Sequence, residues 1–257
     1  AAVVKPSEYT SYLTELMVKE IIDSKILPEG CLQLIPGTGK GILDHVGHND
    51  IVTFTGSATT GKILKSHPNI LENSVSFNME ADSLNACVLG EDVDESSDEF
   101  DIFIKEIYRE MTAKTGQKCT AVRRILVPEN KIDQVQKALI TKLEKTIIGN
   151  PENKDVRMGA LASKIQVERV KENVELLMES QEKVFDNSSN LNLKDASEEK
   201  GAFFSPILFR NDEPFFKDAV HNIEAFGPVS TLIPYKNMEE AVELVEMGKG
   251  SLVTSFV

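Results

Sequence analysis

The sequence predicts an α/β fold in two parts, and three observations predict it. Over residues 1–77 short β-rich runs alternate with amphipathic helical segments, the pattern of parallel βαβ units. Glycine-bearing turns follow two of those runs directly, at Pro36-Gly37-Thr38-Gly39 and at Gly56-Ser57, the strand ends where such sheets bind ligands. From residue 78 to residue 257 a second series of apolar runs and helices follows, with no internal repeat and no low-complexity segment. The expected organisation is therefore the second half of a Rossmann-type nucleotide-binding domain over 1–77, then a larger α/β domain over 78–257.

Taken in order, residues 1–5 form a strand that leads to Pro6-Ser7-Glu8, where Ser7 is expected to cap a helix with Leu13, Met17 and Ile21 at helical spacing. A strand over 31–35 precedes the Gly-rich turn and a short helix through Ile42, Leu43 and Val46. Next come a strand over 51–55 and a helix opened by Gly56-Ser57 that runs through Ile63 and Leu64. Two extended runs, 74–79 and 85–89, precede the acidic loop 91–99. That loop resembles a calcium loop only superficially, lacking the Gly of its sharp turn and carrying Phe103 where a bidentate Glu belongs.

A helix over 98–114 then delivers the chain to Gly116-Gln117-Lys118-Cys119-Thr120 and a strand over 121–127. Helices follow over 129–145 and after Ser163, the latter with Val167, Val170, Val174 and Leu177 on one face. A loop or weak hairpin over 181–200, strands over 203–209 and 229–234, a helix over 238–247 and an apolar run over 252–257 complete the series. Because the chain begins and ends inside apolar runs, it reads as a piece of something longer, cut within folded domains.

Of 257 residues, 41% are hydrophobic and 27% charged, enough for a sizeable core. The net charge of −13, with no basic stripe to offset it, argues against nucleic acid or an anionic membrane as partner. There is no uncharged run of membrane-spanning length and no secretory leader. Three cysteines at spacings that match no zinc framework point to a reduced, cytoplasmic setting, and four scattered histidines supply no metal site. Small-molecule chemistry is the default.

Cys119 is the candidate nucleophile, because it alone lies on a polar, Gly-containing turn with Lys118 beside it to favour the thiolate, whereas Cys31 and Cys87 sit in apolar runs that read as core. Gly56-Ser57-Ala58-Thr59-Thr60-Gly61-Lys62-Ile63 opens a helix where phosphate would bind. It mimics a P-loop, but Ile63 stands where a Ser or Thr would hold magnesium, and Gly61 also has a plain packing role open to it. Lys5 and Glu8, at the end of the first strand, are placed to grip ribose hydroxyls. Glu80, at the end of an apolar run, is a candidate general base if partial burial raises its pKa. Glu224 and Phe226 precede the rigid turn Phe226-Gly227-Pro228, which could aim both into a cleft.

Taken together, Val4-Lys5-Pro6-Ser7-Glu8, Phe54-Thr55-Gly56-Ser57 with Gly61, Gly116-Gln117-Lys118-Cys119 with Arg124 and Val127, and Glu224-Ala225-Phe226-Gly227-Pro228-Val229 resemble the NAD(P)-dependent aldehyde dehydrogenase superfamily in its own motif order. Asn78-Met79-Glu80-Ala81-Asp82-Ser83-Leu84-Asn85 and the Glu224 segment look most like the dehydrogenase domain of the bifunctional ring-opening enzymes of bacterial phenylacetate degradation. The resemblance implies an aldehyde-dehydrogenase-like fold and oxidation of an aldehyde, such as a CoA-linked semialdehyde, to an acid.

It further implies Cys119 as nucleophile and Glu80 as hydrolytic base, although a gapless match to the family's usual segment would put Asn78 in the base column. Lys5, Ser7 and Glu8 would serve the adenosine ribose, Gly56, Ser57 and Gly61 the pyrophosphate turn, and Glu224 with Phe226 the nicotinamide ribose. The subfamily implies NADP, whereas the acidic Glu8 favours NAD by simple electrostatics. A homo-oligomer is implied for the full-length parent. The family's oxyanion-hole Asn would lie upstream of Lys5, so the chain alone is expected to turn over little. A CoA-acylating dehydrogenase, a P-loop-like nucleotide binder and an inert fragment are the competing readings.

Overall fold

The computed structural model describes all 257 residues, the side chain of residue 190 excepted, and divides them into two compact units, Ala1–Asp82 and Ser83–Val257. The division differs from the expected boundary at 77/78. That position falls inside a strand, Ser76–Ala81, whose whole length is hydrogen-bonded in parallel to Ile51–Gly56, so Glu80 belongs with the first unit.

In the first unit β1 (Ala2–Val4) leads to α1 (Ser11–Asp23) and returns as β2 (Leu32–Leu34), parallel to β1. Ser7 does not cap α1: its carbonyl accepts from Thr10 N in a preceding turn, and the helix starts only at Ser11. Of the expected apolar stripe, Leu13 and Met17 are exposed and Ile21 is half-buried, and Val18 is the buried residue of α1. Beyond a 3-10 turn at Ile42–His45 come β3 (Ile51–Gly56), α2 (Ala58–Lys65), α3 (Pro68–Glu72) and β4 (Ser76–Ala81). Leu43, Ile70 and Val75 make a small core, and Asn69 Nδ2 ties it by donating to the carbonyls of Leu43 (2.8 Å) and Val46 (2.6 Å). The expected half-sheet is present as two separate parallel pairs, β1-β2 and β3-β4.

The second unit is built on one six-stranded sheet. In chain order its elements are β5 (Ala86–Val88), α4 (Asp98–Thr112), β6 (Arg124–Pro128), α5 (Ile132–Leu143), β7 (Ile148–Gly149), α6 (Lys164–Met178), β8 (Glu182–Asp186), β9 (Leu193–Lys194), β10 (Ile207–Arg210), β11 (Val229–Tyr235), α7 (Met238–Glu246) and β12 (Thr254–Phe256). The sheet order is β12-β5-β6-β11-β10-β8, parallel except for β8, and β7 pairs with β9 apart from it.

Residues along β6 alternate between two cores, as the two-residue period of a strand requires. Ile125 and Val127 face α4 and α5 with Phe103, Ile107, Val135 and Leu139, while Leu126 faces the other side with Tyr235, Ala241 and Leu244. On that second side α6 packs Val170, Val174 and Leu177 against Ile207, Phe209 and Val229. Ser97 and Ser163 start α4 and α6 by accepting from Phe100 N and Gln166 N. The loop 181–200 contributes an edge strand, β8, and the strands expected over 121–127 and 203–209 begin later, at Arg124 and Ile207.

Candidate active site

Between α4 and β6 the backbone turns through three consecutive left-handed residues, Lys114, Thr115 and Gly116, at φ of 52°, 54° and 69°. Such a run costs energy and needs fixed surroundings. Thr115 is buried and its hydroxyl donates to the Gly159 carbonyl at 3.0 Å, while Gln117 Oε1 accepts from Ala162 N at 2.8 Å. Gly116 has no room for a side chain, since a Cβ there would come within 2.1 Å of the Gly227 oxygen. After this stiff segment Ala121 N donates to the Lys118 carbonyl at 3.0 Å, closing a turn with Cys119 at its second position.

Cys119 is exposed, Cys31 is half-buried and Cys87 is fully buried. Burial, with Glu106 and Glu110 adding to it, pushes the Cys87 thiol up to about 12. The Nζ of Lys118, expected to favour the Cys119 thiolate, donates to Oε1 of the buried Glu110 at 2.6 Å.

Asn85 holds the Cys119 turn from beneath. It is buried, and its Nδ2 donates to the carbonyls of both Cys119 and Ala121, each at 2.9 Å. Its Oδ1 accepts from Ser83 Oγ at 2.6 Å and from Val253 N at 3.0 Å. Glu224 Oε2 accepts from Ser83 N at 3.1 Å and its Oε1 from Arg123 Nε at 3.2 Å, with the Glu224 side chain only 7% exposed. Phe226 is exposed, its ring centroid 5.6 Å from the Arg123 guanidinium carbon. The next residue, Arg124, is wholly buried and donates to the carbonyls of Leu84 (2.7 Å), Leu244 (2.6 Å) and Val245 (3.1 Å), and to His221 Nδ1 (3.1 Å). Cys119, Glu224 and Phe226 are thus gathered in the second unit around Asn85, Ser83 and the paired arginines.

Within the first unit, Lys5 is exposed just past β1, its stem lying 3.4 Å from where a Gly39 Cβ would stand. Ser7 and Glu8 are exposed in the following turn. Ser57 caps α2 by accepting from Thr60 N, and Gly56 ends β3. Gly61 has the packing role: a Cβ there would meet Met79 Sδ at 2.4 Å and Phe54 at 3.2 Å. Ile63 is exposed. Glu80 lies opposite Thr55 on β4 and is exposed, not partly buried. Asn78, two residues earlier, shares its face, while Met79 turns the other way toward Gly61. Among the described residues no group of three or more His, Cys, Asp or Glu is arranged to hold a metal ion, and no helix is long and apolar enough to cross a membrane.

A model of the aldehyde dehydrogenase family matches residues 1–255. The chain belongs to this family. Among the relatives of this aldehyde dehydrogenase chain is the 3,4-dehydroadipyl-CoA semialdehyde dehydrogenase of Aromatoleum evansii, 41% identical over 251 residues, covering 98% of this chain and 49% of that protein. The 1-pyrroline-5-carboxylate dehydrogenase of Oceanobacillus iheyensis is 28% identical over 248 residues, 94% of this chain and 45% of that one. The structure is similar to that of betaine aldehyde dehydrogenase from Staphylococcus aureus in complex with NAD+, with a TM-score of 0.81 at 27% identity, covering 95% of this chain and 47% of that one. The chain spans about half the length of the relatives it matches.

The Asn85 and Arg123 contacts were not read from the sequence. Asn85 did carry a signal, standing in the family-like Ser83-Leu84-Asn85, but Arg123 carried none, because an arginine is ordinarily a surface residue.

Proposed function

We propose that this chain carries the nucleophile, the hydrolytic base and much of the cofactor site of an NAD(P)-dependent aldehyde dehydrogenase acting on a CoA-linked semialdehyde. The observation that carries the reading is the exposed Cys119, held on a stiff turn by Asn85, in a chain matched to this family over nearly its whole length. The 41% identity to a CoA semialdehyde dehydrogenase supports the substrate class.

On this reading Cys119 Sγ, as thiolate, bonds to the aldehyde carbon and gives a thiohemiacetal. Bound NAD or NADP supplies the hydride acceptor that lets this carbon reach the thioester level. Glu80 then takes a proton from water as that water bonds to the thioester carbon, and the C–S bond breaks to release the acid and restore the thiolate. The residues present fit the cofactor. The Ser57-capped start of α2 offers first-turn N–H groups suited to a pyrophosphate, the exposed Lys5 and Glu8 suit the adenosine ribose, and Glu224 with the exposed Phe226 is assigned to the nicotinamide ribose, its carboxylate already held by Ser83 N and Arg123 Nε. Cytoplasmic location and homo-oligomeric assembly of the full-length protein belong to the same proposal.

The test uses a polypeptide that supplies the rest of the relatives' length, assayed by nicotinamide absorbance in single-turnover mode with either cofactor. Cys119→Ser should abolish the burst of reduced cofactor. Glu80→Gln should keep the burst and slow the steady state by about a hundredfold or more, the usual worth of a general base. A Cys119→Ser protein that still gives the burst would overturn the reading. A Glu80→Gln protein with unchanged steady-state turnover would remove Glu80 as the hydrolytic base.

A further inference from the structure

Arg123 is buried, and its donors are divided between two separate stretches of chain. Nη2 donates to the Gly116 carbonyl at 2.8 Å, in the stiff segment just ahead of Cys119. Nη1 donates to the Gly227 carbonyl at 2.7 Å and Nε to Glu224 Oε1 at 3.2 Å, while the guanidinium lies over the Phe226 ring. The two stretches are in direct backbone contact, as the Gly116–Gly227 approach shows. A planar fork with donors in fixed directions suits this span, and the point charge of a lysine does not.

The contacts close a circuit. Glu224 Oε2 accepts from Ser83 N, Ser83 Oγ donates to Asn85 Oδ1, and Asn85 Nδ2 returns to the Cys119 carbonyl. Burial disfavours the charged form of Arg123, and Glu224 opposes that penalty. Arg124 beside it serves other elements, reaching α7, Leu84 and His221.

We propose that Arg123 is a positioning residue that sets the Cys119 turn against the Glu224–Gly227 segment, so that one side chain fixes both the approach to the thiol and the carboxylate offered to the nicotinamide ribose. Its catalytic meaning rests on the dehydrogenase reading, but its geometry is testable without turnover.

The experiment alkylates this chain with limiting iodoacetamide across pH 6–10 and maps each cysteine by mass, in the parent, Arg123→Gln and Arg123→Lys. Cys31, in the other unit, is the internal rate standard, and Cys87, fully buried, reports folding by staying unlabelled. In folded variants the Cys119 rate profile should shift by about tenfold, the change in thiolate fraction that one unit in a thiol's pKa produces. Lysine should restore only part of it, and Cys31 should not change. A Cys119 profile superimposable on the parent's in either folded variant would overturn the proposal while leaving the dehydrogenase reading intact. Labelling of Cys87 in both variants would also overturn it, by making Arg123 a residue of folding alone. Failure of the dehydrogenase reading would appear instead as turnover without Cys119, whatever these profiles show.

Discussion

In the second unit α4 buries Phe100, Phe103, Ile104 and Ile107 against one face of a six-stranded sheet, whereas α1 of the first unit leaves Tyr12, Leu13, Leu16 and Met17 exposed and buries Val18. The two helices have similar lengths and both are amphipathic, so the difference lies in what surrounds them. α4 has the sheet and α5 as neighbours, while α1 has the three-residue strand β2. Each exposed aliphatic side chain on α1 forgoes part of the roughly 1.5–3 kcal/mol that full burial contributes. Chemistry divides along the same line: the second unit presents Cys119 beside a six-stranded sheet, and the first presents Lys5, Ser57 and Glu80 on short two-stranded pieces.

The largest effect should come from adding the half of the relatives' length that this chain does not span. Supplying the remaining half of the relatives' length should raise aldehyde turnover by at least about a hundred- to a thousandfold, the worth of a single oxyanion donor, before any gain in cofactor binding. Steady-state reduction of NAD and NADP by the two polypeptides measures it, and equal turnover would break the comparison. The second effect is on stability. Phe103→Ala should cost about 3–5 kcal/mol of unfolding free energy by urea titration, as a core truncation does, whereas Leu16→Ala should stay within about 0.5 kcal/mol in this chain. A Leu16→Ala cost near that of Phe103→Ala would show that α1 is covered after all.

A third, smaller effect is the pH response of the Arg124 cluster. Burial, then the Arg124 charge, lowers His221 from 6.5 to about 4, with Nε2 set toward the Pro214 carbonyl at 3.2 Å. Between those values the unfolded chain binds the additional proton. The stabilisation is therefore fully present above about 6.5 and is lost as pH falls toward 4, by up to roughly 3 kcal/mol. Urea midpoints at pH 4–7 should fall more steeply for the parent than for His221→Gln, and parallel curves would remove His221 from the account.

The alternation of runs and helices was legible because each element is held mainly by its own period and cap, as Ser57 and Ser163 show. The helix of α1 was legible too, but its buried face was not, because the apolar stripe through Leu13 and Met17 is left exposed and Val18 is buried instead. Cys119 stood out through its polar neighbours, yet the direction of Lys118 depended on Glu110, eight residues back on α4 and beyond any local pattern. The inward turn of Arg123 depended on carbonyls as distant as Gly227, and the exposure of Glu80 on which face of β4 meets α2. Tertiary contacts decide such matters, and spacing alone does not carry them.

The central claim is that Cys119 forms the covalent bond to substrate. The direct measurement is to acid-quench the Glu80→Gln form of the longer polypeptide during turnover with NADP or NAD and a CoA-linked semialdehyde, then digest it and read the peptide around residue 119 by mass. The account predicts an acyl group of the substrate's mass, less two hydrogens from the thiol adduct, on Cys119 and on no other residue. An acyl group on Cys31 or Cys87, or none on any cysteine while reduced cofactor accumulates, would contradict it.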